Sequence, residues 1–276
     1  MEKETGERYS PVRQMSDAER IRAVKEIFST VTGKYDFLNH FLSLRRDIAW
    51  RRFAARKMRF LKTNRFLDVA TGTADLAIQA SRKHPSIGVT GLDFVQAMMD
   101  LGLRKISRQG LLDRIRLLRG DALALPFPDH CFDVAAIAFG IRNIPDKSRA
   151  LKEMRRVVAP GGQVMVLEMT FPRSSLFQGF YHLYLIRILP KIASAFSKNP
   201  AAYEYLADSI MNFPDPETFS RQMEEAGLVQ VEKFPLDFGI TYLHIGVKAN
   251  PPSSSSPFEG EGCGGGERHS HAIVGQ

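Results

Sequence analysis

The stretch RFLDVATGTAD, residues 65–75, reads as a short apolar strand that leads through a turn of small residues into a helix. The pattern predicts a strand over Arg65–Ala70, a Thr71-Gly72-Thr73 turn and a helix over Leu76–Arg82. Gly72 lacks a side chain, so the backbone of this turn can approach a bound molecule closely. Ligands of open α/β sheets bind at the carboxyl ends of the strands. The stretch therefore predicts the first unit of a ligand-binding α/β fold.

Short apolar runs and helical patterns alternate through the rest of the chain. Further strands are predicted at Gly88–Asp93, Ile115–Arg119, Phe132–Ala138, Gln163–Met169, Val229–Phe234 and Ile240–Val247. The fifth follows a Pro160-Gly161-Gly162 turn, and Asp146 and Asp215 are predicted to cap helices. This alternation predicts a doubly wound, mostly parallel sheet of seven strands.

The chain divides into three predicted parts. Residues 1–19 are polar and are expected to form a flexible N-terminus. Residues 20–248 are expected to form one domain, in which 20–61 is an N-terminal helical extension and 172–212 a helical insertion. Both helical segments could form a lid or bind the substrate. Residues 249–276 are rich in Ser and Gly, which predicts a disordered tail.

The chain is basic, and the charge lies outside the tail. The net charge is +8, and residues from 249 onward hold three Glu and one Arg, so the remainder carries about +10. The stretch 45–62 holds eight Lys or Arg against a single acid, Asp47. This composition suggests an anionic partner, either nucleic acid or anionic lipid, although a solvated helix face would look the same.

The cysteines and the apolar runs bear on location. Cys131 and Cys263 lie in very different contexts, which fits a reducing cytoplasm better than a disulfide framework. Neither a secretory signal nor an apolar run of about 20 residues is apparent, so a cytoplasmic location is expected. No metal site is predicted, because Cys263, His269 and His271 lie in a Gly-rich tail that would not orient them.

Acidic residues at the ends of three consecutive predicted strands indicate the kind of ligand. Asp93 ends the second strand, where an acid can accept hydrogen bonds from ribose hydroxyls. Asp121 follows the third strand and could accept from an adenine amino group. Asp75 could hold an amino group or cap the next helix. The loop has one glycine and so lacks the dinucleotide fingerprint. Such acids suit a nucleoside without phosphate and tolerate a sulfonium, although each one alone could be an ordinary cap.

Several longer segments resemble the ubiquinone/menaquinone biosynthesis C-methyltransferase family. They include LDVATGTAD at 67–75, FGIRNIPDK at 139–147, YLADSI at 205–210, KYDFLNHFLSLRRDIAWRR at 34–52 and GITYLHIGVK at 239–248. The first of these is common to many methyltransferases, whereas FGIRNIPDK and YLADSI are more specific. The resemblance extends over residues 20–248.

The resemblance implies the class I fold of S-adenosylmethionine-dependent methyltransferases. Together with the strand-end pattern, it gives an expected set of cofactor-binding residues: Thr71, Gly72, Thr73, Asp75, Asp93, Phe94, Asp121 and Ala122. Ala138 stands where some family members carry Ser, so no hydroxyl is available there. Ala74 replaces the second loop glycine of many members, and the resulting GTAD sequence resembles the menaquinone branch.

The chemistry implied by the resemblance suggests the acceptor residues. A ring carbon beside a hydroxyl becomes nucleophilic when that hydroxyl, with a pKa near ~10, loses its proton. Arg142 and Asn143 follow the fourth strand, and we expect Arg142 to favour the deprotonated hydroxyl, directly or through a water, and Asn143 to orient the ring. An ion pair with Asp146 or Asp75 is the alternative role for Arg142.

Two further residues are expected at the substrate. Tyr35, with Asp36 beside it, could close over the ring, although these residues could equally cap a helix turn. His244, on the last strand, could contact the substrate and act as a base, although a lone His on an apolar strand is commonly structural.

By this resemblance, the chain would transfer a methyl group from S-adenosylmethionine to demethylmenaquinol, with a benzoquinol as the alternative acceptor. The expected partners are a prenylated quinol, the inner face of a membrane and a second copy of the chain, with no nucleic acid. The rivals are an RNA or DNA methyltransferase, a non-catalytic cofactor binder, and a methyltransferase for another lipid such as a sterol. Amino-methylating enzymes often carry D/N-P-P-Y after strand four, where this chain reads Ala-Phe-Gly-Ile-Arg-Asn.

Overall fold

The computed structural model describes residues 16–30, 43–171 and 201–251, together with positions 179, 183 and 187. Its helices are α1 (Asp17–Thr30), α2 (Arg46–Lys57), α3 (Asp75–Lys83), α4 (Gln96–Arg108), α5 (Lys147–Val157), α6 (Ala201–Met211) and α7 (Pro216–Glu225). Its strands are β1 (Arg65–Val69), β2 (Gly88–Asp93), β3 (Ile115–Arg119), β4 (Phe132–Ala138), β5 (Val158–Met169), β6 (Leu228–Leu236) and β7 (Thr241–Lys248).

The strands form one sheet in the order β3-β2-β1-β4-β5-β7-β6. The first five strands are parallel, and β7 lies antiparallel to both of its neighbours. The order reverses between β1 and β4, which is the point where open sheets of this type bind ligands. The predicted doubly wound, mostly parallel seven-stranded sheet is confirmed.

Helices cover both faces of the sheet. On one face, Trp50 and Ala54 of α2, Ala77 of α3 and Ile106 of α4 join a buried cluster with alternate residues of the strands. On the other, the core includes Leu151 and Met154 of α5 and Phe219 and Met223 of α7. The two central strands β1 and β4 are buried along almost their whole length because helices cover them on both sides.

Several predicted boundaries are confirmed by the cap contacts. The Asp146 carboxylate accepts from the Arg149 amide at 2.8 Å, and Asp215 accepts from the amides of Glu217 and Thr218 at 3.0 Å each. Gly227 follows α7 with a φ of +86°, a conformation that glycine adopts without strain. These caps fix where α5 and α7 begin and where α7 ends.

Two predicted boundaries are wrong. Residues 160–162 were expected to form a turn, but β5 begins at Val158 and continues through them with a register shift against β4. Helix α1 begins at Asp17, three residues before the predicted start of the helical extension at residue 20. Ser16 and Glu19 explain this start, because the Ser16 amide donates to Glu19 Oε2 at 2.8 Å and the Glu19 amide donates to Ser16 Oγ at 3.4 Å, a reciprocal capping box.

Some predicted features lie outside the described residues. These are Tyr35 and Asp36, most of the 172–200 part of the insertion, and the tail from residue 252 onward. Within the part that is described, the insertion ends in α6. None of the helices in the described residues has the length and apolar character needed to cross a bilayer.

Candidate functional site

A cavity of about 300 Å³ opens at the carboxyl edge of the sheet, where β1 to β4 end. Its lining includes the eight residues expected to bind the cofactor: Thr71, Gly72, Thr73, Asp75, Asp93, Phe94, Asp121 and Ala122. Asn143 and Ala138 also line it. The structure therefore brings together residues that are spread over more than seventy positions of the sequence.

The loop after β1 has an irregular backbone. Ala70, Gly72 and Ala74 all have positive φ values, of 51°, 55° and 64°, so every second residue is left-handed. Ala74 occupies the position before α3 without offering a side-chain cap. Asp75 is the first residue of α3 and does not cap it, and its carboxylate pairs instead with Lys105 of α4. The alternative in which Asp75 caps the helix is therefore wrong.

Asp93 connects two parts of the cavity wall. Its carboxylate accepts from the Gly72 amide at 2.8 Å and from the Val95 amide at 2.9 Å. The side chain is buried, and this burial raises its pKa despite the hydrogen bonds that favour the charged form. An ionised carboxylate has about four acceptor sites, so it can hold the loop and still accept from a ligand.

Asp121 and Phe94 line the cavity beyond the ends of β3 and β2. Asp121 is exposed there, and its Oδ1 accepts from the Leu123 amide at 2.9 Å. Phe94 directly follows β2 and is half-buried, and the centroid of its ring lies 5.7 Å from the Lys25 ammonium. The lining therefore offers a ligand an acceptor at Asp121 and, at Phe94, an aromatic face beside a cation.

Asp68 lines the cavity but was not predicted as a site residue. It lies within β1, where it accepts from Thr71 Oγ1 at 2.7 Å and from the Ala77 amide at 3.0 Å. Burial raises the pKa of this carboxyl to about 7. The sequence signal was present, because an acid in an otherwise apolar buried strand has to be compensated by specific partners.

Arg51 is the second lining residue that the sequence did not single out. Its Nη1 atom lies 2.6 Å from Asp47 Oδ2, and its guanidinium carbon lies 5.0 Å above the Phe139 ring. The residue is buried, unlike its exposed neighbour Arg52. Nothing in the Arg-rich stretch 45–62 distinguishes the two, apart from an acid four residues before Arg51.

Asn143 faces the cavity from the short 3-10 helix Ile141–Asn143. The Tyr205 hydroxyl, on α6, donates to Asn143 Oδ1 at 3.1 Å. Tyr205 also packs with Val24 of α1 in a small buried cluster that contacts Phe94. Helices α1 and α6 therefore meet over the cavity, and their contact fixes the orientation of the Asn143 amide.

Arg142 lies behind the cavity wall. Its side chain is buried, and Nη1 lies 2.5 Å from Oε1 of Glu168, a fully buried residue of β5. Arg142 is not among the described residues that line the cavity. The expected partner of Arg142, Asp146 or Asp75, is corrected to Glu168. The placement of Arg142 outside the lining argues against a direct contact with the substrate, and its action through a water stays a prediction.

We predict that Arg142→Met lowers the free energy of unfolding by about 3 kcal/mol, because it leaves the buried Glu168 charge without its guanidinium. The double variant Arg142→Met/Glu168→Leu should recover part of this loss. Urea unfolding would measure both, with the exposed Arg149→Met as the control within about 0.5 kcal/mol of the parent. An Arg142→Met protein as stable as the control would contradict a structural ion pair.

His244 lies in the core, away from the cavity. It is 1% exposed, its Nε2 lies 3.1 Å from the Pro216 carbonyl oxygen, and its ring packs against Phe219 at 5.1 Å. Burial lowers its pKa to about 4. The expectation that His244 contacts the substrate or acts as its base is therefore corrected, because α7 covers the ring.

This lowered pKa predicts a dependence of stability on pH. Unfolded His244 takes up a proton near pH 6.5, whereas the folded residue stays neutral until about pH 4. Its contribution is therefore complete above pH 6.5 and decreases as the pH falls toward 4, by about 3 kcal/mol in total. The raised pKa of Asp68 makes stability change with pH in the opposite direction. The contribution of His244 is therefore isolated by comparing the parent with His244→Gln, since both proteins contain Asp68.

Urea unfolding at pH 7.5 and pH 4 would give the difference. The parent should lose about 3 kcal/mol more than His244→Gln over this interval, since only the parent carries the buried imidazole. Equal losses in the two proteins would show that His244 is protonated in the folded state.

The chain is similar to known methyltransferases over almost all of its described domain. Residues 14–248 match the sequence model of the ubiE/COQ5 methyltransferase family. It is 41% identical over 231 residues to the ubiquinone/menaquinone biosynthesis C-methyltransferase UbiE of Geotalea daltonii, covering 83% of this chain and 98% of that protein. It is also 41% identical over 244 residues to the demethylmenaquinone methyltransferase of Deinococcus radiodurans, covering 88% and 99% respectively.

Solved structures show the same fold at much lower identity. An S-adenosylmethionine-dependent methyltransferase from Thermotoga maritima superposes with a TM-score of 0.57 at 20% identity, covering 81% of this chain and 98% of that one. This similarity supports the fold alone, whereas the matches to relatives in sequence extend through the cavity residues and both flanks. The chain therefore belongs to the ubiE/COQ5 methyltransferase family.

Proposed function

We propose that this protein transfers a methyl group from S-adenosylmethionine to a ring carbon of demethylmenaquinol, which gives menaquinol, S-adenosylhomocysteine and one proton released to solvent. The observation that carries the proposal is the cavity at the sheet's carboxyl edge, where acidic strand ends and the Asn143 amide line one space. Relatives named for demethylmenaquinone methylation support the choice of acceptor. The GTAD sequence of the first loop favours the naphthoquinol over the benzoquinol.

The donor groups of the cavity fit S-adenosylmethionine. Asp93 would accept from the ribose hydroxyls, and Asp121 from the adenine amino group. The Arg51 side chain, which lies in the lining, would attract the carboxylate of the methionine part. The backbone amides of the loop that ends at Asp75 add further donors. The acids outnumber the cations in this lining, which suits a ligand with a sulfonium and an ammonium.

When bound, S-adenosylmethionine supplies an electrophilic methyl group. The protein's own task is to present the acceptor as its phenolate, because a phenol with a pKa near ~10 is almost entirely protonated at neutral pH. The Asn143 amide nitrogen would donate to that oxygen while Tyr205 holds the amide oxygen. Phe139 and Ala138 offer apolar surface on which the ring can lie against the methyl group.

The basic stretch 45–62 bears on where the reaction takes place. A prenylated acceptor resides in a membrane, and the basic stretch 45–62 would attract an anionic bilayer surface. We therefore infer a protein that works at the surface of the membrane.

A direct assay tests the proposed function. Purified protein is incubated with methyl-labelled S-adenosylmethionine and reduced demethylmenaquinone, and in parallel with a reduced demethylated benzoquinol, and products are identified by mass. We expect a singly methylated naphthoquinol and a slower reaction with the benzoquinol. No product from either acceptor would refute the proposal, as would label incorporated into RNA and lost on RNase treatment.

A further inference from the structure

Two turns at the edge of the fold each hold a large apolar side chain in solvent. Leu44, in the turn before α2, is 81% exposed, and Phe238, in the turn Asp237–Gly239 between β6 and β7, is 89% exposed. We call this pair the apolar tip. Exposed single apolar residues are ordinary, but two on neighbouring turns that are tied together form a patch.

A set of polar contacts ties the two turns. Arg46 Nε donates to Asp237 Oδ2 at 2.6 Å, and Trp50 Nε1 donates to the same oxygen at 2.7 Å. The Arg46 guanidinium favours the ionised carboxylate and lowers the pKa of Asp237. Leu44 lies two residues from Arg46, and Phe238 is next to Asp237, so the members of the tip lie near each other.

The backbone of the tip is unusual. Leu44 and Arg45 have φ values of 51° and 62°, and Asp237 and Phe238 have values of 45° and 58°. A left-handed conformation costs a non-glycine residue about 1 kcal/mol or more. Both turns therefore adopt a strained conformation in which Leu44 and Phe238 are largely exposed.

The tip lies at the same edge of the sheet as the cavity. Strands β5 and β6 are both antiparallel to β7, so they are parallel to each other, and β6 ends at the carboxyl edge. On the other side of the tip, Trp50 of α2 packs against Phe139 of the cavity wall, with ring centroids 5.9 Å apart. A surface that contacts the tip would therefore face the mouth of the cavity.

The charge around the tip suits an anionic surface. Arg45, Arg52 and Arg56 are exposed on or beside α2, and Arg46 is more than half exposed. The acids near them are compensated, because Asp47 is buried against Arg51 and Asp237 pairs with Arg46. Apolar side chains flanked by arginines are the pattern that binds membrane interfaces.

We propose that Leu44 and Phe238 insert into the interfacial layer of an anionic lipid membrane while Arg45 and Arg52 contact lipid phosphates. This inference rests on the proposed function, since a lipid acceptor is what would require the cavity to open toward the bilayer. The docking itself is measured without any methyl transfer.

The experiment is vesicle sedimentation with the full chain. The double variant Leu44→Ser/Phe238→Ser is compared with the parent on phosphatidylcholine vesicles with and without phosphatidylglycerol. Leu61→Ser is the matched control, because Leu61 is 73% exposed but precedes β1 at the opposite edge of the sheet. We expect the parent to prefer anionic vesicles, the double variant to partition about 30-fold less, and the control to change by less than about twofold.

Three results would overturn the inference. They are a double variant that binds anionic vesicles as the parent does, a parent that binds neither type of vesicle, and a double variant that loses a homodimer in sedimentation equilibrium without losing vesicle binding. A short-chain quinol assay in solution separates this inference from the proposed function, since the double variant should methylate that acceptor at the parental rate. If no quinol is methylated but the variant still loses vesicle binding, the docking stands and the proposed function fails.

Discussion

Replacement of Asn143 by alanine is expected to lower kcat for quinol methylation by about 100-fold. The amide lines the cavity and is held by the Tyr205 hydroxyl at 3.1 Å, so its nitrogen can donate to the acceptor oxygen without first being ordered. This hydrogen bond stabilises the phenolate form of the bound acceptor, which is the form that reacts, more than it stabilises the neutral phenol. The loss should therefore appear in kcat and only slightly in the affinity for S-adenosylmethionine.

Tyr205→Phe is the matched variant for this prediction. It keeps the aromatic packing with Val24 but removes the hydroxyl that orients Asn143, so we expect a smaller loss of kcat, about tenfold. Steady-state rates over pH 6 to 9 would measure both. The Asn143→Ala enzyme should regain part of its rate at high pH, where the acceptor ionises unaided. Parental kcat in Asn143→Ala would remove Asn143 from the proposed mechanism.

Replacement of Asp93 by alanine is expected to weaken the binding of S-adenosylmethionine by about 100-fold. The carboxylate accepts from the amides of Gly72 and Val95, and in our proposal it also accepts from the ribose. Losing two charge-assisted hydrogen bonds to the ligand, at about 1.5 kcal/mol each, corresponds to that factor. The loop at Gly72 would also lose one of its fixed points.

Titration calorimetry would measure the affinity of each variant for S-adenosylmethionine, and a second variant separates the charge of the carboxylate from its acceptor oxygen. Asp93→Asn keeps an acceptor oxygen but removes the charge, so it should bind S-adenosylmethionine with an intermediate affinity. Asp100→Ala serves as the control, because Asp100 is exposed on α4 and is not among the described cavity residues. If Asp93→Ala bound the cofactor within about twofold of the control, the cofactor would have to lie elsewhere in the cavity.

Most of the fold was predictable because local signals and tertiary packing agree. Strands β2, β3 and β4 have the predicted bounds, since each is a short run with apolar residues, and β2 ends at Asp93, β3 directly before Gly120 and β4 at Ala138. The Pro160-Gly161-Gly162 segment misled the prediction because its residues usually form turns. Here β5 continues through it at a register shift, and Gly161 adopts the positive φ this requires.

Site residues could be predicted where the position of the backbone alone brings them to the cavity. They could not be predicted where the direction of the side chain decides whether it enters the cavity. Strand ends converge in any parallel sheet, so the positions of Thr71, Asp93 and Asp121 follow from topology. Arg142 and Asn143 are adjacent in sequence, yet one turn of 3-10 helix sends the first toward Glu168 and the second into the cavity. No sequence pattern reports that difference.

The contacts of Asp237 with Arg46 and Trp50 join residues that are 191 and 187 positions apart. On a ribosome that adds about 5–20 residues per second, the Arg46 side chain waits roughly 10–40 s for its partner. During that time Trp50 has no acceptor from this turn. The growing chain can therefore assemble β1 to β5 early, whereas the contact that joins α2 to the turn between β6 and β7 forms only when the last hairpin has emerged.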